Sequence, residues 1–186
     1  WFVSLDYNGA EARTVLSLLG NDQPDVDIHE WNIKNIFHSH RFNSSPSREE
    51  AKIMFFGWLY DPTSSAIKSR YYDRDGLLKN HYKEGCVKTV FGRSIQVEQR
   101  KALNYLIQST TSDLVLEQAI EIDNFLKDKK SFFSHIVHDE LVIDMSDDER
   151  ELVPDIKDIF ANNRLDRFMV NLQAGQNYYD LKDLKV

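Results

Sequence analysis

FFSHIVHDELVIDM, residues 132–145, consists of two β-prone runs either side of His138-Asp139-Glu140. Phe, Ile and Val flanking a short polar centre predict a β-hairpin with that triplet at its tip. Outward from it, FVSLD at residues 2–6 reads as a mostly apolar strand ending at Asp6, and DRFMVNLQAG at residues 166–175 as a last strand. Residues 10–19 carry apolar side chains at helical spacing, with Gly20 as the stop. Further helices are expected over 28–38, 48–60, part of 65–84, and 99–130, the last ending in the charged run KDKK. Ser47 and Glu50 form a capping-box pattern in front of the 48–60 helix. SDDERELVPDIKDIFANN, residues 146–163, reads as a polar-faced helix with Ser146 as cap and Glu149 three residues on. Residues 22–27 are a turn-rich link, 41–47 a loop, and 86–93 a strand followed by a glycine turn. The pattern is α+β: an antiparallel sheet with helices packed on it.

The 186 residues suffice for one domain, or a domain with a subdomain, around a sizeable core. Hydrophobic residues at 41% and charged residues at 28% exclude a disordered chain. No apolar run approaches the roughly 20 residues that span a bilayer, so no membrane partner is expected. No signal peptide is read, and a chain opening on Trp1 inside a strand pattern is read as a piece of a longer protein. A single cysteine, Cys86, excludes an intrachain disulfide and fits a reducing, cytosol-like compartment. The net charge of −7 argues against a nucleic-acid-binding surface over the whole chain. The charge is uneven, however. Lys68, Arg70, Arg74, Lys79, Lys83, Lys88, Arg93, Arg100 and Lys101 fall within 68–101, whereas 139–158 is dominated by Asp and Glu. Ordinary solvated faces are the plainer account of that asymmetry.

Three sets of side chains have chemistry in them. Asp6 ends the first strand, and Asp139 and Glu140 sit at the hairpin tip. If those strands are neighbours, the carboxylates meet at one edge, where a cation must neutralise them. Magnesium, with its preference for hard oxygen ligands, is the usual cation where phosphates are handled. A pair of such ions stabilises both the attacking and the leaving oxygen of phosphoryl transfer. Taken singly, a strand-end aspartate is an ordinary turn former. Arg48, Lys52, Phe56 and Tyr60 are spaced by four, which puts two cations and then two aromatics along one helix face. Such a face can hold a nucleotide lengthwise; it also reads as an amphipathic helix with snorkelling cations. Arg100, Asn104 and Gln108 repeat by four as well. They are suited to phosphates, sugars and base edges, or to a solvent-facing polar stripe.

Read together, the segments resemble DNA polymerase family A. DYNGAEAR at 6–13 is similar to the family's DYSQIELR. R-x-x-x-K-x-x-x-F-x-x-x-Y at 48–60 matches its fingers-helix motif at all four positions, and RKALNYLIQST at 100–110 resembles R-x-A-x-N-x-P-x-Q-G-T. IVHDELV at 136–142 resembles QVHDELV; DIH at 27–29 and VFGR at 90–93 also have counterparts, and all occur in the family's order. The resemblance implies an antiparallel palm sheet packed by helices, over about 1–20 and 86–186, with a small helical fingers subdomain over about 21–85. It implies addition of deoxynucleotides to a primer 3′ end, with Asp6, Asp139 and the Tyr7 carbonyl binding two Mg2+ ions and Glu140 close by. Arg48, Lys52 and His29 would hold the triphosphate, with Lys52 donating a proton to pyrophosphate. Phe56 would pack on the incoming sugar and base, Tyr60 would close the pocket, and Glu11 would exclude a 2′-hydroxyl. Arg100, Asn104, Gln108 and His138 would touch primer-template DNA, which with deoxynucleoside triphosphates completes the implied partners.

Asn8, Gly9, Ala10, Ala12, Asp61, Leu106, Ser109 and Ile136 depart from the usual residues, and the stretches Tyr60 to Gly85 and Arg93 to Arg100 are shorter than in bacterial members. The shortening suggests a compact phage or viral branch acting in the cytoplasm of a bacterial host. Glu11 and the HDE triplet argue against a single-subunit RNA polymerase. A non-catalytic nucleic-acid-binding module would be expected to have lost a metal carboxylate.

Overall fold

The computed structural model describes residues 1–37 and 45–185. Residues 41–44 of the expected loop, and His38 at the end of an expected helix, lie outside the described residues. In chain order the elements are β1 (Phe2–Tyr7), α1 (Ala10–Leu18), α2 (Ile28–Asn32), α3 (Arg48–Tyr60), α4 (Arg74–His81), β2 (Tyr82–Lys83), β3 (Cys86–Lys88), β4 (Ser94–Gln96), α5 (Gln99–Leu126), β5 (Phe132–Val137), β6 (Glu140–Asp144), α6 (Val153–Ala161), β7 (Val170–Gly175) and β8 (Lys182–Asp183). They form two compact units: Trp1–Ala10 with Thr111–Val186, and Glu11–Thr110. The fold is α+β. No helix among the described residues is long and apolar enough to cross a membrane.

The first unit is built on a five-stranded sheet of order β5-β6-β1-β7-β8, with every pairing antiparallel. Alternation along β1 sends Val3, Leu5 and Tyr7 to one face, all buried, and Ser4 and Asp6 to the other. Tyr7 stacks on Phe160 of α6 at a centroid distance of 4.1 Å and donates its hydroxyl to the Phe160 carbonyl at 2.7 Å. That contact pins the last residue of β1 to the helix below it. The β5–β6 hairpin is closed by His138 and Asp139 alone, because Val137 pairs with Glu140. Of the two, only His138 has positive φ, at 59°. This is the dihedral pattern of a type II′ turn, whose first central position normally holds glycine.

The second unit packs α3 and α5 around an apolar cluster that includes Phe55, Trp58, Tyr72, Leu77 and Leu106, with the small sheet β2-β3-β4 beside it. Ala51, Phe55, Trp58 and Leu59 are the buried face of α3, at spacings of four, three and one. The helix begins where expected. The Ser47 hydroxyl accepts from the Glu50 amide, and the Glu50 carboxylate takes the Ser47 amide at 2.7 Å.

Four expectations need correction. The helix expected from residue 28 is α only to Asn32 and continues as a π-helical turn over Ile33–Phe37. Its buried positions Ile28, Asn32 and Phe37 are four and then five apart, and a five-residue turn lets all three face inward. The helix expected over 99–130 ends at Leu126, before the KDKK run; 65–84 is helical in part, as expected, over Arg74–His81, and Ser64 and Ser69 accept the amides of Ala66 and Tyr71, bonds that compete with a helix. The 146–163 segment is a 3-10 stretch, Asp147–Leu152, before α6, and Ser146 makes no side-chain cap. The Glu149 carboxylate is engaged by Ser131 and the Lys130 amide, and Pro154 sets the α-helical start. DRFMVNLQAG is not the last strand, because the two-residue β8 pairs with β7.

Candidate active site

The carboxylates expected at the sheet lie within the first unit. Asp6 and Glu140 are direct cross-strand partners, and Asn171 of β7 is the partner of Asp6 on its other side. Asn171 Nδ2 donates to Asp6 Oδ2 at 3.2 Å. Glu140 accepts from Ser4 Oγ at 2.5 Å on one oxygen and from Tyr178 Oη at 2.8 Å on the other. Asp139 precedes Glu140 in the hairpin turn, half-buried, with His138 exposed at the tip. A groove of about 630 Å³ opens beside Ser4, Asp6, Glu140 and Asn171 and runs to β8. The tethering of Tyr7 described above fixes the backbone that carries its carbonyl; burial pushes its phenol well above the ordinary tyrosine range.

Among the described residues no three or more His, Cys, Asp and Glu side chains are grouped to cage a metal. The donors present are two carboxylates and a main-chain carbonyl, all hard oxygens. Magnesium is commonly held in this way, through one or two carboxylates, with water and substrate phosphate as its other ligands. The donor set therefore fits that ion.

The second unit carries the other expected side chains. Along α3, Arg48, Lys52 and Tyr60 are exposed and Phe56 is half-buried, opposite the apolar face. The Phe56 and Tyr60 rings stack at 5.7 Å with an interplanar angle of 8°. A shallow, open groove runs along Lys52, Phe56, Gly57 and Tyr60. Tyr60 donates to Glu11 Oε1 at 2.7 Å and is within 3.4 Å of Gln108 Nε2. Burial, then the Glu11 carboxylate, pushes the Tyr60 phenol up to about 12. Glu11 and Gln108, 97 residues apart in sequence, thus share one aromatic partner. Further along α5, Asn104 has a buried Oδ1 with no partner among the described residues, while exposed Arg100 pairs with Glu98 at 2.6 Å.

Asp27 and Arg13 organise this unit, and the sequence reading assigns neither a role. Asp27 Oδ1 caps α2 by accepting the His29 and Glu30 amides, both at 3.0 Å, while its Oδ2 takes Arg48 Nη2 at 2.8 Å. One carboxylate therefore fixes the start of the His29 helix and orients the first cation of α3. Hydrogen bonding to Asp27 raises the Arg48 pKa further. His29 is 3% exposed and its Nδ1 has no partner among the described residues. Burial lowers its pKa; Asp27 opposes that shift, and the Arg48 and Lys52 charges reinforce it. Arg13 is fully buried and donates to the Pro24 and Val26 carbonyls at 2.9 and 2.7 Å, stapling the loop that leads into Asp27. Burial pushes its guanidinium down to about 10. The available signals are the Arg ending DYNGAEAR and the Asp opening DIH; which carbonyls and which cation they meet depends on tertiary structure.

The sequence model of DNA polymerase family A matches residues 71–180. DNA polymerase I of Chloroflexus aurantiacus is 24% identical over 98% of this chain and 24% of its own length. DNA polymerase I of Bacillus caldotenax is 22% identical over 98% of this chain and 26% of its own. Among solved structures, the POL domain of Pol1 from M. smegmatis, in complex with DNA primer-template and dNTP, superposes with a TM-score of 0.68 at 23% identity, covering 92% of this chain and 38% of that one. That likeness establishes the fold. The chain spans about a quarter of the length of the curated relatives it matches. The family match takes in more than half of the sequence, and the chain belongs to DNA polymerase family A.

Proposed function

We propose that the protein carrying this chain is a template-directed DNA polymerase that adds deoxynucleotides to a primer 3′ end by two-metal-ion nucleotidyl transfer, in DNA replication. The observation that carries the reading is the exposed face of α3. There Arg48 and Lys52 are followed by two stacked aromatics, Lys52 and both rings line a shallow open groove, and the last aromatic is bonded to Glu11. Primer-template DNA and deoxynucleoside triphosphates are the partners, the same two classes of molecule that the M. smegmatis POL domain holds in its complex. Residues 1–20 and 86–186 are read as palm and 21–85 as fingers. A phage or viral origin, in the cytoplasm of a bacterial host, is part of the same proposal; finding the gene in a viral genome supports it and a bacterial chromosomal locus refutes it.

Phosphoryl transfer requires positioning and charge neutralisation more than covalent help from the protein. Arg48, Lys52 and His29 bind the triphosphate, Arg48 exchanging part of its bonding to Asp27 for phosphate oxygen. Lys52 also gives a proton to the departing pyrophosphate. Phe56 stacks on the sugar and base and Tyr60 covers the templating side. Glu11, held by Tyr60, meets the sugar at the 2′ carbon and rejects a hydroxyl there. Asp6, Asp139 and the Tyr7 carbonyl would hold the magnesium, and Glu140 supports the primer end. Bound magnesium would lower the pKa of the primer 3′-hydroxyl and offset charge on the phosphates. Arg100, Asn104, Gln108 and His138 contact the duplex.

The test is primer extension with magnesium and deoxynucleotides by the natural full-length protein and its Asp139→Asn variant. Extension by the first that disappears in the second supports the reading. A folded, DNA-binding wild type that extends nothing overturns it in favour of a binding module.

A further inference from the structure

Glu140 is engaged through both carboxylate oxygens, by Ser4 Oγ at 2.5 Å and Tyr178 Oη at 2.8 Å. Ser4 is buried, 3% exposed, on the strand that carries Asp6. Tyr178 stands on a short 3-10 turn, Tyr178–Asp180, beyond the end of β7. Two features fix that turn. The Asn177 side chain accepts from the Tyr179 amide at 3.0 Å. Gly175 lets the backbone of Asp180 approach so closely that a Cβ at 175 would sit 2.7 Å from the Asp180 carbonyl oxygen. The His135 and Tyr178 rings meet edge to face, with centroids 5.6 Å apart. A tyrosine 41% exposed is thus held by backbone and ring contacts with its hydroxyl aimed at one carboxylate.

We propose that Tyr178, acting with Ser4, is a positioning residue that fixes the Glu140 carboxylate beside Asp6 as an oriented hydrogen-bond acceptor for the primer end, outside the set of magnesium ligands. The inference rests on the polymerase reading above. A carboxylate has about four lone-pair sites, so two donors fix its plane and leave the remaining sites directed at substrate. A charge-assisted bond of this kind is short and directional, whereas a freely rotating glutamate would sample many orientations in the groove.

The experiment is steady-state primer extension by the full-length protein with Tyr178→Phe and Ser4→Ala, each alone and in a Glu140→Gln background, with a thermal melt of every variant. Tyr178→Phe keeps the ring and its packing and removes only the donor. The expected result is a kcat lower by on the order of tenfold, a deoxynucleotide KM within about twofold of wild type, and an unchanged melting temperature. In the Glu140→Gln background the neutral amide keeps one acceptor oxygen and no charge, so the charge-assisted bond is already lost and the same substitution should have a much smaller further effect. Wild-type kcat in Tyr178→Phe, or a full tenfold loss on top of Glu140→Gln, overturns the proposal while wild-type extension leaves the polymerase reading standing. Absence of extension in the wild type overturns both. If Ser4→Ala disturbs the buried strand and lowers the melt, the Tyr178→Phe comparison decides alone.

Discussion

His29 carries its pH dependence in its surroundings. It is buried, it faces Phe55 and Phe56 at 6.4 Å, and its pKa is lowered first by that burial and then by Arg48 and Lys52. In the unfolded chain its pKa returns to about 6.5. Below that value the unfolded state binds a proton that the folded state refuses until its own lower pKa is reached, so His29 costs stability as pH falls through this window. The melting temperature of wild type should therefore drop more steeply than that of His29→Asn between pH 7 and pH 5; parallel curves would show that the histidine does not titrate as described. Tyr60 offers a second residue-level prediction. Tyr60→Phe removes the donor that orients Glu11 and should lower the deoxy-over-ribo preference in kcat/KM by about tenfold, the worth of one hydrogen bond to a charged group. A preference equal to wild type would mean that packing alone holds Glu11. Spacing by four is enough to place Lys52, Phe56 and Tyr60 on one face of a helix from sequence. The roles of Asp27 and Arg13 are not legible there, because a carboxylate bridging a helix cap and a guanidinium looks, in one dimension, like an aspartate in a turn-rich link.

Elements whose cues are local are legible in the sequence, as with the capping box of α3 and the apolar run of β1, and α5 is legible except for its end, which falls at Leu126 and not in the KDKK run. Elements that depend on packing are not. Burial spacing of Asn32 and Phe37 selects a π turn, and the two-residue β8 forms against the edge that β7 offers. The β5–β6 hairpin is a mixed case. Its strands are legible, but its turn holds histidine where a type II′ geometry favours glycine, so no turn signal marks it. A non-glycine residue with positive φ stores on the order of 1 kcal/mol or more. His138→Gly should relieve about 1 kcal/mol and raise the melting temperature by about 3 °C. It should also weaken primer-template binding by removing the imidazole at the tip. A gain in stability with DNA affinity unchanged would count the strain as confirmed and the DNA contact as refuted.

At the scale of the whole molecule, the candidate side chains divide between the two compact units. Asp6, Tyr7, His138, Asp139 and Glu140 belong to Trp1–Ala10 with Thr111–Val186, while Glu11, His29, Arg48, Lys52, Phe56, Tyr60, Arg100, Asn104 and Gln108 belong to Glu11–Thr110. The ligands proposed for metal and those proposed for triphosphate are therefore supported by separate cores, and sequence order disguises this, since residues 6 and 11 are neighbours in the chain but fall in different units. Net charge has the same blind spot: a total of −7 averages the basic 68–101 segment with the acidic 139–158 segment. The division predicts separable kinetics. Arg48→Ala should raise the deoxynucleotide KM by about tenfold or more, through loss of phosphate binding common to ground and transition states. Asp139→Asn should lower kcat by on the order of a thousandfold while KM stays within about threefold, because charge is lost only where it develops during transfer. Single-turnover extension across a range of deoxynucleotide concentrations measures both. If Asp139→Asn moved KM as far as Arg48→Ala does, nucleotide binding would depend on the carboxylates, and the assignment of triphosphate binding to the second unit alone would fall.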